Sequence, residues 1–437
     1  MRWRCAAVML VAVLALALVG PVRAQGPVKI TLWHAMGGAR YEAITKGIAE
    51  GFNRAYPNYT LEPLFTGSYA ETLTKGIAAI RAGNPPHIVQ VYEVGTQTMI
   101  DSGAIIPVTD MVKPGEINFA EYIDPILKYY TVRGKLYSMP FNSSTAILYY
   151  NKDVFRRAGL DPERPPQTFD ELEQMGRQII RSGAARGAVT FGWPAWIFEQ
   201  MFAYHNKAYA NNENGRAGRA TKVLFDQPFG VYLASRWAAW AKEGLLIYGG
   251  REYAPNRAFL AGEVAMLMQS TSQVSTIQQG AKFAVGTAFL PRIPGQPRGK
   301  SVIGGASLWV LKGRGRSQAE LDAIVAFFKY LNQAAQTAQW HKDTGYFPAT
   351  QSAVKLLEAE GWFTKNPNFL TAFRQIQVGP DTGATRGVLL GNFVQIRDIT
   401  DTMLERIFSG RMTPAEAVRV SAEEANKVLE EYNQTYK

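Results

Sequence analysis

The chain between residues 28 and 93 alternates between segments with the hydrophobic pattern of strands and segments with the pattern of helices. Residues 28–34 alternate apolar and polar side chains, and 59–65 and 85–93 are further runs typical of strands. Between them, 41–53 and 71–82 place apolar residues on one face at helical spacing. The order strand, helix, strand, helix, strand predicts an α/β domain with a largely parallel sheet.

Polar or aromatic residues stand at the end of each of these three predicted strands. They are Trp33-His34, Ser68-Tyr69 and Tyr92-Glu93. Ligands of such sheets bind beyond the carboxyl ends of the strands, so these residues are candidates for one binding edge.

A second unit of mixed pattern follows. Thr168 and Glu171 have the spacing of a capping box, which predicts that a helix begins there. Apolar residues at helical spacing predict further helices over 228–242 and 334–344. The run of Asn, Gly and Arg over 211–219 predicts a polar surface loop.

Two stretches of small polar residues border apolar runs. Asn142-Ser-Ser-Thr145 precedes the apolar run 146–150, and Gln269-Ser-Thr-Ser272 ends a strand-like run that begins at Gly262. We interpret both stretches as places where the backbone crosses from one domain to another. For 142–145, an ordinary loop before a core strand is the alternative.

The first 24 residues have the composition of a secretory signal peptide. Arg2 and Arg4 precede the apolar run 6–19, and Val22-Arg-Ala24 has small residues at the positions typical of a cleavage site. The apolar run is too short for a membrane span, and an uncleaved anchor is the alternative. We therefore predict export to the periplasm with residues 1–24 removed.

Cys5 is the single cysteine, and it lies inside this segment. The mature chain is therefore predicted to lack disulfides, thiolate metal sites and a cysteine nucleophile. The net charge is +11, or +8 once Arg2, Arg4 and Arg23 are removed, and most basic residues are scattered. That distribution is unlike a nucleic-acid groove and mildly favours small anionic ligands.

Length and composition indicate a soluble protein of two ordinary domains, with 437 residues, 47% hydrophobic and 19% charged. The sequence has no Gly-x-Ser-x-Gly, no His-Glu-x-x-His and no phosphate loop. Its four histidines, at 34, 87, 205 and 341, are widely spaced, so we predict neither a metal nor a cofactor. The remaining aromatic and hydroxyl residues suit binding, while the many carboxylates leave a glycosidase open as an alternative.

Ordered stretches over nearly the whole mature chain carry a family resemblance. They are 78–84, 90–96 (Gln-Val-Tyr-Glu-Val-Gly-Thr), 140–145, 148–153, 303–310 (Ile-Gly-Gly-Ala-Ser-Leu-Trp-Val), 340–341, 344–346, 390–392 and 395–397. Through them the chain resembles the extracellular solute-binding proteins of bacterial ABC importers. That family includes maltose-binding protein, and the likeness is to its receptors for sn-glycerol-3-phosphate. Residues 198–221 match the family pattern poorly.

The resemblance implies a two-lobed α/β fold of type II, like that of maltose-binding protein, with hinge crossings and a ligand cleft between the lobes. Lobe 1 would comprise 25–142 and 271–326, and lobe 2 would comprise 143–270 and 327–437. The implied protein is a monomeric periplasmic receptor without enzyme activity or nucleic-acid partners. It would capture sn-glycerol-3-phosphate and deliver it to a membrane permease with a cytoplasmic ATPase.

The family's ligand-contacting positions fall on Tyr69, Glu93, Ser144, Trp193, Ser270, Gly305, Tyr346 and Arg397. The resemblance implies that Arg397 pairs with the phosphate in bidentate geometry and that Glu93 accepts from the glycerol hydroxyls. Trp193 would cover the glycerol carbons. The hydroxyl groups of the set and the Gly305 N–H would donate to phosphate or hydroxyl oxygens.

The exact ligand stays open at this point. Glycerophosphodiesters such as glycerophosphocholine are included, because related receptors accept them. A receptor for a neutral oligosaccharide is a second hypothesis, and a secreted phosphodiesterase or glycosidase is a third.

Overall fold

The computed structural model describes residues 26–436. The predicted signal peptide and Cys5 lie outside the described residues. The strands are β1 Val28–His34, β2 Tyr59–Phe65, β3 Ile88–Tyr92, β4 Ile105–Ile106, β5 Thr131–Val132, β6 Lys135–Leu136, β7 Met139–Ser144, β8 Ala146–Asn151, β9 Gly187–Phe191, β10 Val264–Ser270, β11 Val285–Ala288 and β12 Gly304–Leu311.

Helices separate and cover these strands. They are α1 Ala39–Ala55, α2 Tyr69–Arg81, α3 Thr96–Asp101, α4 Val108–Met111, α5 Asp124–Tyr130, α6 Lys152–Arg157, α7 Phe169–Arg181, α8 Pro194–Tyr204, α9 Pro228–Lys242, α10 Asn256–Leu260, α11 Val274–Gly280, α12 Gln318–Leu331, α13 Ala334–Thr344, α14 Gln351–Ala359, α15 Trp362–Lys365, α16 Thr371–Ile376, α17 Phe393–Phe408 and α18 Pro414–Thr435. Within residues 26–436, none of the helices combines the length and the apolar character needed to cross a membrane.

The first sheet has six strands in the order β2-β1-β3-β12-β4, with β7 also paired to β12. Strands β1, β2 and β3 are parallel, as their strand–helix alternation predicts. Strand β12 is antiparallel to β3, β4 and β7, so the prediction of a largely parallel sheet is wrong at this strand. Strand β12 arrives from the second sheet instead of through a helical crossover, which is the connection that parallel neighbours need.

The second sheet has four strands in the order β11-β8-β10-β9. Strand β8 is antiparallel to both β10 and β11, and β9 is parallel to β10. Strand β11, which lies within the 271–326 that the resemblance assigns to lobe 1, pairs with β8 of the second sheet. This pairing runs from Val285 opposite Asn151 to Ala288 opposite Leu148. The chain rejoins the first sheet at Gly304, where β12 begins.

Two crossings between the sheets lie side by side. Strand β7 ends in the first sheet at Ser144, and β8 begins in the second at Ala146. The residue between them, Thr145, accepts a hydrogen bond from Thr271 N–H at 2.9 Å, directly after β10. Thr145 N–H in turn donates to Thr271 Oγ1 at 3.3 Å. The predicted crossing stretches thus support each other, and Asn142 to Ser144 extend β7 instead of forming a loop.

Capping boxes fix where two of the helices begin. Thr168 Oγ1 accepts from Glu171 N–H, and Glu171 Oε2 accepts from Thr168 N–H, which confirms the predicted start of α7. Ser68 and Glu71 form the same arrangement at α2. Such a cap contributes about 1 kcal/mol. At α2 it also fixes Tyr69 as the first helical residue, next to the carboxyl end of β2.

The segment 211–219 is tied to neighbouring helices and is not a free surface loop. Arg219 forms a bidentate salt bridge with Asp101 of α3, with N–O distances of 2.8 and 2.9 Å. Tyr432 Oη of α18 donates to the same carboxylate at 2.9 Å. Asp101 belongs to predicted lobe 1, and the other two residues belong to predicted lobe 2. This carboxylate therefore joins the two predicted lobes.

Candidate functional site

One cavity lies where the two sheets meet at the crossings. Its empty volume is about 360 Å³, including its opening to solvent. The residues that line it are Tyr69, Tyr92, Glu93, Ser144, Trp193, Trp196, Tyr253, Ser270, Ser272, Gly305, Tyr346 and Arg397. All eight candidates from the sequence are among them, and their role in binding stays a prediction. Of the strand-end candidates, Trp33, His34 and Ser68 are not part of this lining.

Sequence reasoning missed three lining residues, Trp196, Ser272 and Tyr253, whereas Tyr92 was among the strand-end candidates. Trp196 lies in the first turn of α8, three residues after Trp193, which is the N-cap residue of that helix. Ser272 follows Ser270 by two residues, directly after the end of β10. For Tyr253 the sequence holds no comparable signal, because it lies in an irregular segment before α10.

Gly305 is required by the close approach of β7 and β12. Its φ is +87°, and a Cβ at this position would lie 1.9 Å from the backbone oxygen of Asn142. Gly304 pairs with Ser144 in the same ladder, so the glycine pair and the serine share one edge of the cavity. A larger residue at 305 would push these strands apart. The glycine therefore sets the position of a cavity wall.

Tyrosine hydroxyls converge on one side of the cavity. The rings of Tyr69 and Tyr92 stack with centroids 5.3 Å apart, and Tyr69 Oη lies 3.3 Å from Tyr346 Oη. Asn142 Nδ2 donates to Tyr69 Oη at 2.6 Å, while Asn142 Oδ1 accepts from Gln90 Nε2 at 2.8 Å. Burial raises the pKa of Tyr69, Tyr92 and Tyr346. These groups are therefore neutral phenols with an O–H to donate.

The opposite wall is built on strained backbone. Trp193 has φ 56° and Glu252 has φ 54°, a region that bulky residues rarely occupy. Trp193 N–H donates to Glu252 O at 3.1 Å, and its indole meets Tyr253 edge to face at 5.4 Å. Asp401 Oδ1 accepts from Ala195 N–H at 2.8 Å and holds the start of α8. Strain of this kind is found where a side chain must be aimed at a site.

Serine hydroxyls form a third element at the end of β10. Ser270 Oγ and Ser272 Oγ lie 3.0 Å apart, and Ser272 N–H donates to Ser270 Oγ at 3.2 Å. Tyr149 Oη donates to the backbone oxygen of Ser270 at 2.8 Å. The hydroxyl pair is thus anchored beside the crossing and faces the cavity with polar hydrogens.

Arg397 is the cation of the cavity wall, and two carboxylates bind it. Nη1 donates to Glu93 Oε1 at 2.7 Å, and Nη2 donates to Glu199 Oε2 at 2.5 Å. The guanidinium also lies 5.2 Å from the ring centroid of Phe393. Within residues 26–436, Arg397 Nε has no hydrogen-bond partner. Sequence reasoning expected a guanidinium available to phosphate and a Glu93 available to hydroxyls, and it missed Glu199.

The charge of this group follows from its members. One guanidinium and two carboxylates sum to −1 when all three are ionised. Burial lowers the pKa of Arg397, but the charges of Glu199 and Glu93 raise it by more, so Arg397 stays protonated. Burial raises the pKa of Glu199, and Arg397 offsets part of that effect. Partial burial raises the pKa of the nearby Asp401 to about 6.

The fold and the family that the sequence matches define the class of protein as a solute-binding protein. A family model described as bacterial extracellular solute-binding protein matches residues 47–371, and the chain belongs to that family. It is 38% identical over 432 residues to the sn-glycerol-3-phosphate-binding periplasmic protein UgpB of Salmonella paratyphi A, covering 97% of this chain and 98% of that protein.

Solved structures share the fold. UgpB from Mycobacterium tuberculosis, in complex with glycerophosphocholine, matches with a TM-score of 0.79 at 22% identity, over 93% of this chain and 99% of that one. The cyclic alpha-maltosyl-1,6-maltose binding protein from Arthrobacter globiformis matches with a TM-score of 0.75 at 20% identity, over 92% and 99%. The predicted two-lobed fold of type II is thereby confirmed.

Proposed function

We propose that this protein is the receptor of a bacterial ABC importer and that it captures sn-glycerol-3-phosphate or a glycerophosphodiester such as glycerophosphocholine. It acts as a periplasmic monomer after removal of residues 1–24, and it delivers its ligand to a membrane permease with a cytoplasmic ATPase. It binds without catalysis, cofactor or metal. Support comes from family membership and from the similarity to the sn-glycerol-3-phosphate-binding protein that is 38% identical.

The observation that carries the proposal is the buried guanidinium of Arg397 beside a ring of hydroxyl and phenol donors. Guanidinium groups and O–H groups together satisfy the oxygens of a phosphate ester. The aromatic faces of Trp193 and Trp196 suit the carbon skeleton of glycerol.

Each lining residue receives a role under this proposal. Arg397 binds the phosphate after Glu93 turns from it toward the glycerol hydroxyls. The donors to phosphate and hydroxyl oxygens are Tyr69, Ser144, Ser270, Tyr346 and the Gly305 N–H. The two sheets move as two lobes, hinged where Thr145 and Thr271 pair, and they close on the ligand.

A second candidate function is a receptor for a neutral oligosaccharide. The observation that favours it is the pairing of Arg397 with two carboxylates, which leaves the cavity wall without net positive charge. Aromatic walls also suit sugars. The small volume favours the glycerol ester over several linked sugar rings.

A thermal-shift panel with both glycerol esters and maltotriose tests these candidates. A ligand at 100 times its Kd stabilises the folded state by about 2.7 kcal/mol, so a true ligand raises the melting temperature. We expect a rise with one or both glycerol esters and none with maltotriose. The opposite pattern would establish the second candidate. A product assay on glycerophosphocholine should detect no turnover; release of choline would contradict the receptor role.

A further inference from the structure

Glu199 is the second carboxylate on Arg397, and it stands behind the cavity wall. Its Oε2 lies 2.5 Å from Arg397 Nη2, and its side chain is 3% exposed. Glu93, which does line the cavity, lies 2.7 Å from Nη1. A ligand that reaches the guanidinium can displace Glu93 into the cavity, but it has no direct access to Glu199.

The segment that carries Glu199 is held in place on both sides of it. Ala195 N–H is bound by Asp401 at the start of α8. The next residue, Gln200, donates to Val302 O at 3.0 Å and accepts from Val302 N–H at 3.1 Å. The segment around Glu199 is therefore held to α17 on one side and to the backbone of Val302 on the other. Glu199 stays with Arg397 when a ligand arrives.

We propose that Glu199 is a resident counter-ion of Arg397 that limits the affinity of the cavity for anions, and that an anion binds together with one proton taken up by the protein. This inference rests on the proposed function, because it concerns the phosphate of that ligand. An anion beside one guanidinium and two carboxylates would leave three negative charges around one positive charge. Protonation of a carboxylate relieves that excess.

The groups that face Glu199 leave few places for this proton. They are Arg397 on α17, Glu93 beside β3, Tyr129 on α5 and Tyr209 after α8. Burial raises the pKa of both phenols, so they are already protonated. Burial also raises the pKa of Glu199, which favours it as the acceptor. Glu93 lines the cavity and can turn toward ligand hydroxyls.

Calorimetric titration with glycerophosphocholine tests the inference. Its diester phosphate carries one negative charge throughout pH 6 to 8.5, so any proton taken up comes to the protein and not to the ligand. Titrations in two buffers with different ionisation enthalpies count the protons. We expect uptake approaching one proton per ligand at pH 7 and an affinity that falls as the pH rises.

The variant Glu199→Gln keeps a hydrogen-bond acceptor for Arg397 and removes the charge. We expect it to bind the diester about tenfold more tightly at pH 8, without proton uptake. Glu173→Gln is the matched control. Glu173 is another little-exposed carboxylate on an arginine, 2.5 Å from Arg236 Nη2, and it is not part of the cavity lining. Its titration should match that of the wild type.

The outcomes separate this inference from the proposed function. Wild-type binding without proton uptake overturns the inference, whether or not the variant folds. So does a Glu199→Gln protein whose affinity is unchanged or weaker. If neither the wild type nor Glu199→Gln binds glycerophosphocholine or sn-glycerol-3-phosphate, both the proposed function and the inference are overturned. Binding by Glu199→Gln of an ester that the wild type does not bind supports the counter-ion role.

Discussion

Removing the Arg397 side chain should destabilise the folded protein strongly, apart from any effect on binding. Arg397→Ala leaves Glu93 and Glu199 buried side by side, with side chains 5% and 3% exposed and no cation between them. Breaking a buried ion pair by deleting one partner costs about 3–5 kcal/mol. We expect the free energy of unfolding to fall by that amount at pH 7.5, measured by urea titration of tryptophan fluorescence.

The loss should shrink at lower pH. In Arg397→Ala, Glu199 stays buried beside Glu93 and loses its cation, so the pKa of Glu199 in the folded variant rises further above the unfolded value of about 4.3. For acids with raised pKa values, the penalty is full above the folded-state pKa and disappears as the pH falls toward the unfolded one. The difference between variant and wild type should therefore be smaller at pH 5 than at pH 7.5.

Two further proteins sharpen this test. Arg397→Ala combined with Glu199→Gln should recover part of the lost stability, because one unpaired charge is gone. Arg406→Ala on the same helix is the control, since Arg406 is 33% exposed and 3.8 Å from Glu424 and should contribute less than about 1 kcal/mol. A loss below about 1 kcal/mol for Arg397→Ala, or an equal loss at both pH values, would refute the charge assignment.

Three other changes test supports of the cavity by urea unfolding. Gly305→Ala should lower the free energy of unfolding by about 1–3 kcal/mol, because its Cβ would clash with the backbone oxygen of Asn142. Gly134 has a similar φ but open space around it, so Gly134→Ala should cost only about 1 kcal/mol. Equal losses in the two variants would contradict the clash at residue 305. Asp101→Asn should lower the free energy of unfolding by about 1–3 kcal/mol, because it ends the salt bridge with Arg219. An unchanged stability would refute that contact. The folded-state pKa of Asp401, about 6, exceeds its unfolded value, so its charge opposes folding at pH 7 and not at pH 4. The stability of Asp401→Asn relative to the wild type should therefore be about 2 kcal/mol higher at pH 7 than at pH 4. The same relative stability at both pH values would contradict this expectation.

The local sequence pattern was sufficient to predict the bounds of helices and strands whose start and end signals lie within or next to the element. Helix α9 begins at Pro228 and ends at Lys242 as the spacing predicts, because proline is favoured in the first turn. The capping box at Thr168 fixed the start of α7 in the same way. Strands β1 and β2 match the predicted ranges, since alternation and flanking turns bound them on both sides.

Pairing between distant segments had no such signal. Strand β11 joined the sheet of β8 through partners more than a hundred residues away, and nothing in its own run selects that neighbour. Glu199 and Arg397 are 198 residues apart in the sequence. Glu199 also lies in the segment 198–221, which matches the family pattern poorly. The family pattern supplied the eight candidates, because residues contributed by both lobes share no spacing rule. The family pattern did not include Glu199, so it could not predict this second carboxylate on Arg397.

The central claim is that this cavity binds a glycerol phosphate ester. Calorimetric titration of the wild-type protein, purified without its N-terminal 24 residues, with sn-glycerol-3-phosphate and then with glycerophosphocholine tests it most directly. The account predicts saturable heat with at least one of the two esters and its loss in Arg397→Lys, which keeps a charge but not the bidentate geometry. Absence of heat with both esters, or heat that persists unchanged in Arg397→Lys, would contradict it.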